Sequence, residues 1–391
     1  MDRLRGPEIL AQLETERDRL IAFLRDLVEA ESPSSVPETQ RRVRSVLAAG
    51  LEELGYHTQP LHGHRTGGHL YARPRHRRRG AGVQLLIGHY DTVWPVGTLA
   101  ERPFEVDGNV IRGPGVFDMK GGLAQIVFAL AALRALGLEP PLTPVVFVNA
   151  DEEIGSRDSG RHVRRLARIA RRAYVLEPSL GAEGQLKTAR KGVARYTVTV
   201  HGKAAHAGLD PEGGASAILE LSHVIQKLFA LNDGERGVSV NVGTVDGGMR
   251  PNVIAPLSQA VIDVRVPTHD DAQRIDAAIR GLEPETPGVR IRAEGDFGRP
   301  ALEPTPRNRA LWETALAHGE ALGLHLTEAR AGGGSDGNTT SLYTATLDGL
   351  GPVGDGAHAE HEFLYLDRTL ERTALLGSLL LAPDIAGGGE A

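Results

Sequence analysis

Chemistry can begin in this sequence at His89 and Asp91. Both follow a short apolar run, Val83 to Ile87, which is bounded by Gly80–Gly82 and Gly88 and reads as a buried strand. Two residues apart in extended chain, their side chains point the same way. They also leave the carboxyl end of a strand, where open α/β sheets bind ligands. A neutral imidazole ligates metal, and a nearby carboxylate fixes its tautomer. Taken alone the pair has a plainer account, a histidine satisfying a loop carbonyl beside an aspartate capping a turn.

More side chains of the same kind follow. Asp118 lies in GPGVFDMKGG ahead of an apolar helix, and Glu152 and Glu153 follow the apolar run Val145–Asn149. Glu177 follows Tyr174–Leu176, and His358 sits far along in a glycine-rich loop. Singly, these are a helix cap, surface acids and a turn residue. Together they place four or more acids at one end of one sheet, where like charges destabilise one another. A bound cation resolves that conflict. The chain has no cysteine, so the metal must be held by imidazole and carboxylate. That donor set points to zinc, with cobalt or manganese as alternatives. Two histidines and three carboxylates suit two ions bridged by one carboxylate. Such a pair polarises a carbonyl and makes a nucleophile of water. A further acid must then carry the proton to the leaving amine. Adjacent Glu152 and Glu153 can divide the work, one on metal and one on the proton.

These residues need a sheet to hold them. Apolar residues at helical spacing predict helices over 8–30 and 38–54, and a third over 123–136. Strands are expected at 57–61 and 70–73, with a hairpin over 104–112 turning at Asp107-Gly108. Strands alternating with helices imply a mostly parallel α/β sheet with crossover helices. Near residue 193 the pattern changes. Tyr196, Val198 and Val200 alternate on one face of a strand, and the order βαββαβ follows. This predicts an independent ferredoxin-like two-layer domain over 193–305, inserted into a first domain made of 1–192 and 306–391.

Composition excludes other classes. The 391 residues are 41% apolar and 24% charged with a net charge of −6, which calls for neither nucleic acid nor an anionic membrane. The basic run Arg73–Arg79 lacks interleaved aromatics and reads as a solvated loop tip. The longest apolar stretch, Ile126–Leu138, is too short to span a bilayer and is broken by Arg134. The charged N-terminus has no apolar signal core, so the cytoplasm is the expected location. The C-terminal AGGGEA is expected to lack structure.

The segments HYDTV, GPGVFDMKGG, DEEIGS, Glu177-Pro178, GKAAHAG, GGGSDG and GAHAEHE, in this order, resemble the co-catalytic zinc amidohydrolases and exopeptidases. That family includes glutamate carboxypeptidase, acetylornithine deacetylase and succinyl-diaminopimelate desuccinylase. The resemblance runs from about residue 10 to 380 and is strongest to the glutamate carboxypeptidase branch. It implies a di-zinc catalytic domain carrying an inserted lid and dimerisation domain. His89 and Glu177 would complete one zinc site, Glu153 and His358 the other, with Asp118 bridging. The Asp118–Met119 peptide would be cis. Glu152 would be general base and then acid, and Asp91 would orient His89. His206 would stabilise the oxyanion, often across a homodimer. Asn252, Arg265 and Arg299 match positions that bind the substrate's carboxylate and backbone, and a forked guanidinium suits a carboxylate. Arg265 and Arg299 are also compatible with surface ion pairs, Arg299 matching the substrate role less well. The Gly332–Gly334 loop would bring backbone N–H groups, Gly334 among them, to the substrate. His361 competes with His358 as ligand; His358 is preferred for its spacing from Gly356 and Glu362.

The expected activity is hydrolysis of an amide beside a free carboxylate, on a small peptide or an N-acyl amino acid. A non-catalytic metal-binding protein would not need Glu152 beside Glu153. A two-metal phosphoesterase would need a basic clamp, which the acid-rich motifs do not offer.

Overall fold

The computed structural model describes residues 4–78 and 80–384. Arg79, which ends the basic run, and the AGGGEA tail lie outside the described residues. The chain divides into two compact units. The larger comprises the chain up to Thr188, Pro304–Ala331 and the residues from Ser335 onward. The smaller comprises Ala189–Glu303 with Gly332–Gly334.

The larger unit is built on a six-stranded sheet. Its order is Tyr56–Leu61, His69–Pro74, Thr143–Asn149, Val83–His89, Ala170–Val175 and Ala345–Leu347. The last four strands are parallel, and the first two form an antiparallel hairpin at one edge. Alternation along the strands explains the layers. Leu85, Ile87, Val145, Phe147, Ala173 and Val175 face the helix Gly160–Ile169. Leu86, Val146, Val148 and Tyr174 face the other way, into a core shared with the helices Gln40–Glu53, Gly121–Ala135 and Leu366–Leu380. Burial on both faces is why these strands read as unbroken apolar runs.

The structure corrects several expectations. The helix expected over 8–30 is two, Gly6–Thr15 and Arg17–Glu29, broken at Glu16 with φ −101° and ψ 7°. No glycine or proline signals that break. The apolar helix continues from a π-turn at Val116–Lys120, so Val116–Ala135 is long and apolar enough to cross a membrane. Nearly all of it is buried in the core. Gly354–Asp355 is a strand inside a stretch expected to be loop, and Ala345–Leu347 and Phe363–Tyr365 are strands with no sequence expectation, because two or three residues carry no readable period. The last two join Val110–Arg112 and Glu105–Asp107 in a second sheet.

In the smaller unit, Gly192–His201, Ser239–Gly247, Leu257–Val266 and Arg290–Arg299 form an antiparallel sheet with Ser239–Gly247 and Arg290–Arg299 at its edges. Helices Ala217–Phe229 and His269–Arg280 cover the face that carries Tyr196, Val198 and Val200, all fully buried.

His69 begins the second strand of the larger sheet with its ring against Phe147 and His162. It is fully buried, and neither ring nitrogen has a hydrogen-bond partner. Burial pushes its pKa down to about 4, against the opposing pull of Asp158. The unfolded chain takes up that proton near pH 6.5. Stability from this group is therefore complete above about pH 6.5 and is lost as pH falls toward 4, roughly 3 kcal/mol in total. In urea unfolding from pH 7 to 4, the wild type should lose that much stability relative to His69→Leu. A constant difference across the range would contradict the assignment.

Candidate active site

Three neighbouring parallel strands deliver most of the site from their carboxyl ends. His89 ends Val83–His89, paired with Asn149 of the adjacent strand. Glu152 and Glu153 follow Asn149 by three and four residues, and Glu177 lies just past Val175 on the other neighbour. Asp118 arrives separately, on the π-turn that starts the buried helix. Gly115 begins that turn at φ 76°, and a side chain there would stand 2.7 Å from Thr92 Cγ2. The Asp118–Met119 peptide is cis. His358 comes from the turn between Gly354–Asp355 and Phe363–Tyr365, whose pairing with Val110–Arg112 carries it to the Asp118 turn. That pairing between distant segments is invisible in the local pattern.

The side chains converge. His89 Nε2 lies 3.3 Å from Asp118 Oδ1 and 3.5 Å from Glu177 Oε1. His358 Nε2 lies 3.5 Å from Asp118 Oδ2 and 3.0 Å from Glu153 Oε2. The two oxygens of Asp118 thus face two different imidazoles. Ligand atoms of His89, Glu152 and Glu177 lie within 4.8 Å of one another, as do those of His89, Asp118 and Glu153. His89 Nε2 and Asp118 Oδ1 are buried without a hydrogen-bond partner, as metal-facing atoms would be. His361 is exposed, and it is His358 that meets Asp118 and Glu153.

Electrostatics carries the same message. Burial disfavours charge on His89, but the carboxylates of Asp118, Asp91 and Glu177 outweigh it and hold the imidazole well above its ordinary value. Contact with Glu153 lifts His358 to about 9. Burial raises Glu153. So dense a set of acids demands positive charge, and divalent cations supply it where imidazole and carboxylate are the donors.

Asp91 does more than orient a ring. His89 Nδ1 is 2.9 Å from the Asp91 backbone oxygen and 3.4 Å from its carboxylate. The carboxylate accepts the N–H of Glu152 at 3.1 Å, the N–H of Glu153 at 3.2 Å and the Ser34 hydroxyl at 2.7 Å. It therefore ties the His89 strand end to the turn bearing both glutamates. Sequence reasoning misses Ser34, and no local signal marks it. It also leaves Glu362 without a role. This buried carboxylate accepts from the Trp94 indole and from the N–H groups of Gly115, Phe117 and Asp118. Burial pushes it up to about 7 against the pull of those donors. Its only sequence signal is its spacing from His358.

The remaining expected residues lie in the smaller unit. His206 Nδ1 accepts the N–H groups of Gly208 and Leu209, each at 3.1 Å, which leaves the ring proton on Nε2 of the neutral form. Asn252 is beside it, its carbonyl accepting from the Ala207 N–H at 3.0 Å. Arg299 is buried, and Gly334 packs on it so closely that a Cβ would stand 2.7 Å from Arg299 Cδ. Arg190, another residue that sequence reasoning misses, donates to the Gly333 carbonyl at 3.2 Å and supports that loop. Arg265 lies in register with Arg299, both paired to Val193 on the strand between them, and its guanidinium is engaged by Asp263 at 2.8 and 3.1 Å.

Among known proteins, the chain is 29% identical over 383 residues to carboxypeptidase G2 of a Pseudomonas species, covering 95% of this chain and 91% of that one. It is 29% identical over 355 residues to a succinyl-diaminopimelate desuccinylase of Stenotrophomonas maltophilia, covering 86% and 92%. Among solved structures, aminopeptidase PepT from Bacillus cereus shares the fold with a TM-score of 0.75 at 20% identity, over 93% of this chain and 98% of that one. Residues 85–382, which contain every member of the acid and imidazole cluster, match the model of peptidase family M20/M25/M40. The converging donors and this match agree: the chain belongs to peptidase family M20/M25/M40 and is a metal-dependent amide hydrolase.

Proposed function

We propose that the protein is a di-zinc metallopeptidase of the glutamate carboxypeptidase type. It would release a glutamate-like C-terminal amino acid from a small peptide or an N-acyl conjugate. The observation that carries this reading is Asp118, with one oxygen toward His89 and the other toward His358. Kinship with carboxypeptidase G2 along nearly the whole chain supports release of a C-terminal residue. The desuccinylase relative supports a second reading, an N-acyl amino acid deacylase acting on the same kind of bond. Cobalt or manganese would suit the donors as well as zinc.

His89 and Glu177 would hold one ion, Glu153 and His358 the other, and Asp118 both. Bound there, the ions would polarise the scissile carbonyl and acidify the attacking water. Glu152 would take the water's proton and return it to the leaving amine. Its backbone N–H rests on Asp91, so the base and the Glu153 ligand are set by one carboxylate. His206, with its proton on Nε2, would donate to the oxyanion. Asn252, Arg265 and Arg299 would receive the substrate's carboxylate and backbone, and Gly334 would let the main chain approach. For Arg265 this requires sharing its guanidinium with Asp263.

The smaller unit would also form a homodimer. Ser239–Gly247 is an edge strand, and Ile218, Leu219, Val245 and Met249 are exposed on this unit. Edge-to-edge pairing would cover both features.

A panel of N-acyl and C-terminal amino acid conjugates, with the enzyme loaded with zinc, should show fastest release of glutamate, and chelation should abolish it. Preference for an apolar or basic leaving amino acid would overturn the glutamate reading. Glu152→Gln should lower kcat about 10²–10⁴-fold while both ions stay bound; near-normal turnover would remove Glu152 from the mechanism. Light scattering after size exclusion should give twice the chain mass, and a monomer at working concentration would refute the dimer.

A further inference from the structure

Glu362 joins three segments that the sequence keeps far apart. Its carboxylate accepts from Trp94 Nε1 at 2.7 Å, in the loop that follows His89. It accepts from the N–H groups of Gly115, Phe117 and Asp118 at 2.7, 3.0 and 2.9 Å, which is most of the turn that presents Asp118. Its own backbone belongs to the turn that presents His358, where the Glu362 N–H donates to Ala359 O. All four partners are donors, so the site is built for an ionised carboxylate, which has acceptor capacity on both oxygens. The Arg102 guanidinium lies 4.0 Å over the Trp94 ring and holds the indole in place.

The two halves of the metal cluster are supported differently. His89 and Glu177 stand at the ends of neighbouring strands, fixed by the sheet ladder. His358 is about half exposed, at φ 61°, in a turn between two short strands, beyond the last paired residues Asp355 and Phe363. Beyond that pairing, the Glu362 carboxylate ties this turn directly to the Asp118 backbone.

We propose that Glu362 is a positioning residue for the metal pair: it holds the Asp118 turn against the His358 turn and so sets the ion site on the His358 side. This rests on the two-ion reading above. A glutamine would fill the same volume but set its NH₂ against N–H donors. An acceptor role and a packing role therefore predict opposite outcomes for that variant.

The test uses chelator-stripped full-length protein titrated with Zn²⁺ in a calorimeter, and with Co²⁺ followed by its visible absorption. The wild type should take up two ions. Glu362→Gln and Glu362→Ala should keep one at near wild-type affinity and bind the second roughly 10–100-fold more weakly. At limiting metal, kcat should fall with it and recover with excess. A Glu362→Gln protein that holds both ions as tightly as the wild type would overturn the proposal. A wild type that binds no second ion would instead overturn the two-ion reading. Should both variants fail to fold, Trp94→Phe decides, because it deletes one neutral donor. It should weaken the second ion roughly 2–10-fold, and unchanged affinity would refute the role.

Discussion

Like charges brought together in a buried place repel, and much of the larger unit is arranged to hold them there regardless. Glu152, Glu153, Glu177 and Asp118 share a few ångströms with His89 and His358. In water each acid would be stable alone; side by side and half-buried, they stay ionised only beside positive charge. Protons and divalent cations compete for that role. Bound divalent metal is the physical resolution, and the membership of the chain in peptidase family M20/M25/M40 agrees with it.

Holding such a cluster requires rigid supports, and the structure supplies them as carboxylates and amides that accept or donate to loop backbone. Asp91 accepts from Glu152, Glu153 and Ser34. The Gln40 amide donates to Ala150 O at 3.1 Å, in the approach to the same turn. Asp336 accepts from Ser156 at 2.6 Å and from the Asn149 amide, closing that turn from the other side. Each of these groups is buried and answered, as buried polar groups must be if they are to stiffen a loop and not weaken it. The sheet carries the strand ends, and these side chains carry what lies beyond them.

The smaller unit obeys different demands. Its four strands are all antiparallel and cover one face with two helices, so its strands alternate where those of the larger sheet run continuously apolar. Its polar residues are set by their own turns: His206 by the amides of Gly208 and Leu209, Arg299 by the close approach of Gly334. Arg265 meets Asp263 on its own strand, a contact that residue type alone could not reveal.

Long periodic segments and buried apolar runs report their own type, so the main helices, the parallel strands and the βαββαβ order are legible in the sequence. His89, Glu152, Glu153 and Glu177 are legible because they follow buried strands; Asp118 and His358 stand in turns, and their place in the cluster is legible only through the motifs that carry the resemblance. The break at Glu16, the three short strands beyond residue 344 and the length of the buried helix are not, since they depend on packing and not on local pattern. What the amino-acid sequence determined by itself is which donors exist and which elements present them, because both are local properties. Which oxygen of Asp118 faces which imidazole, that Asp91 serves the glutamate turn, and that Glu362 joins two distant turns were decided only by tertiary structure. Those contacts link residues up to 268 positions apart, and nothing in a local window carries information across that distance.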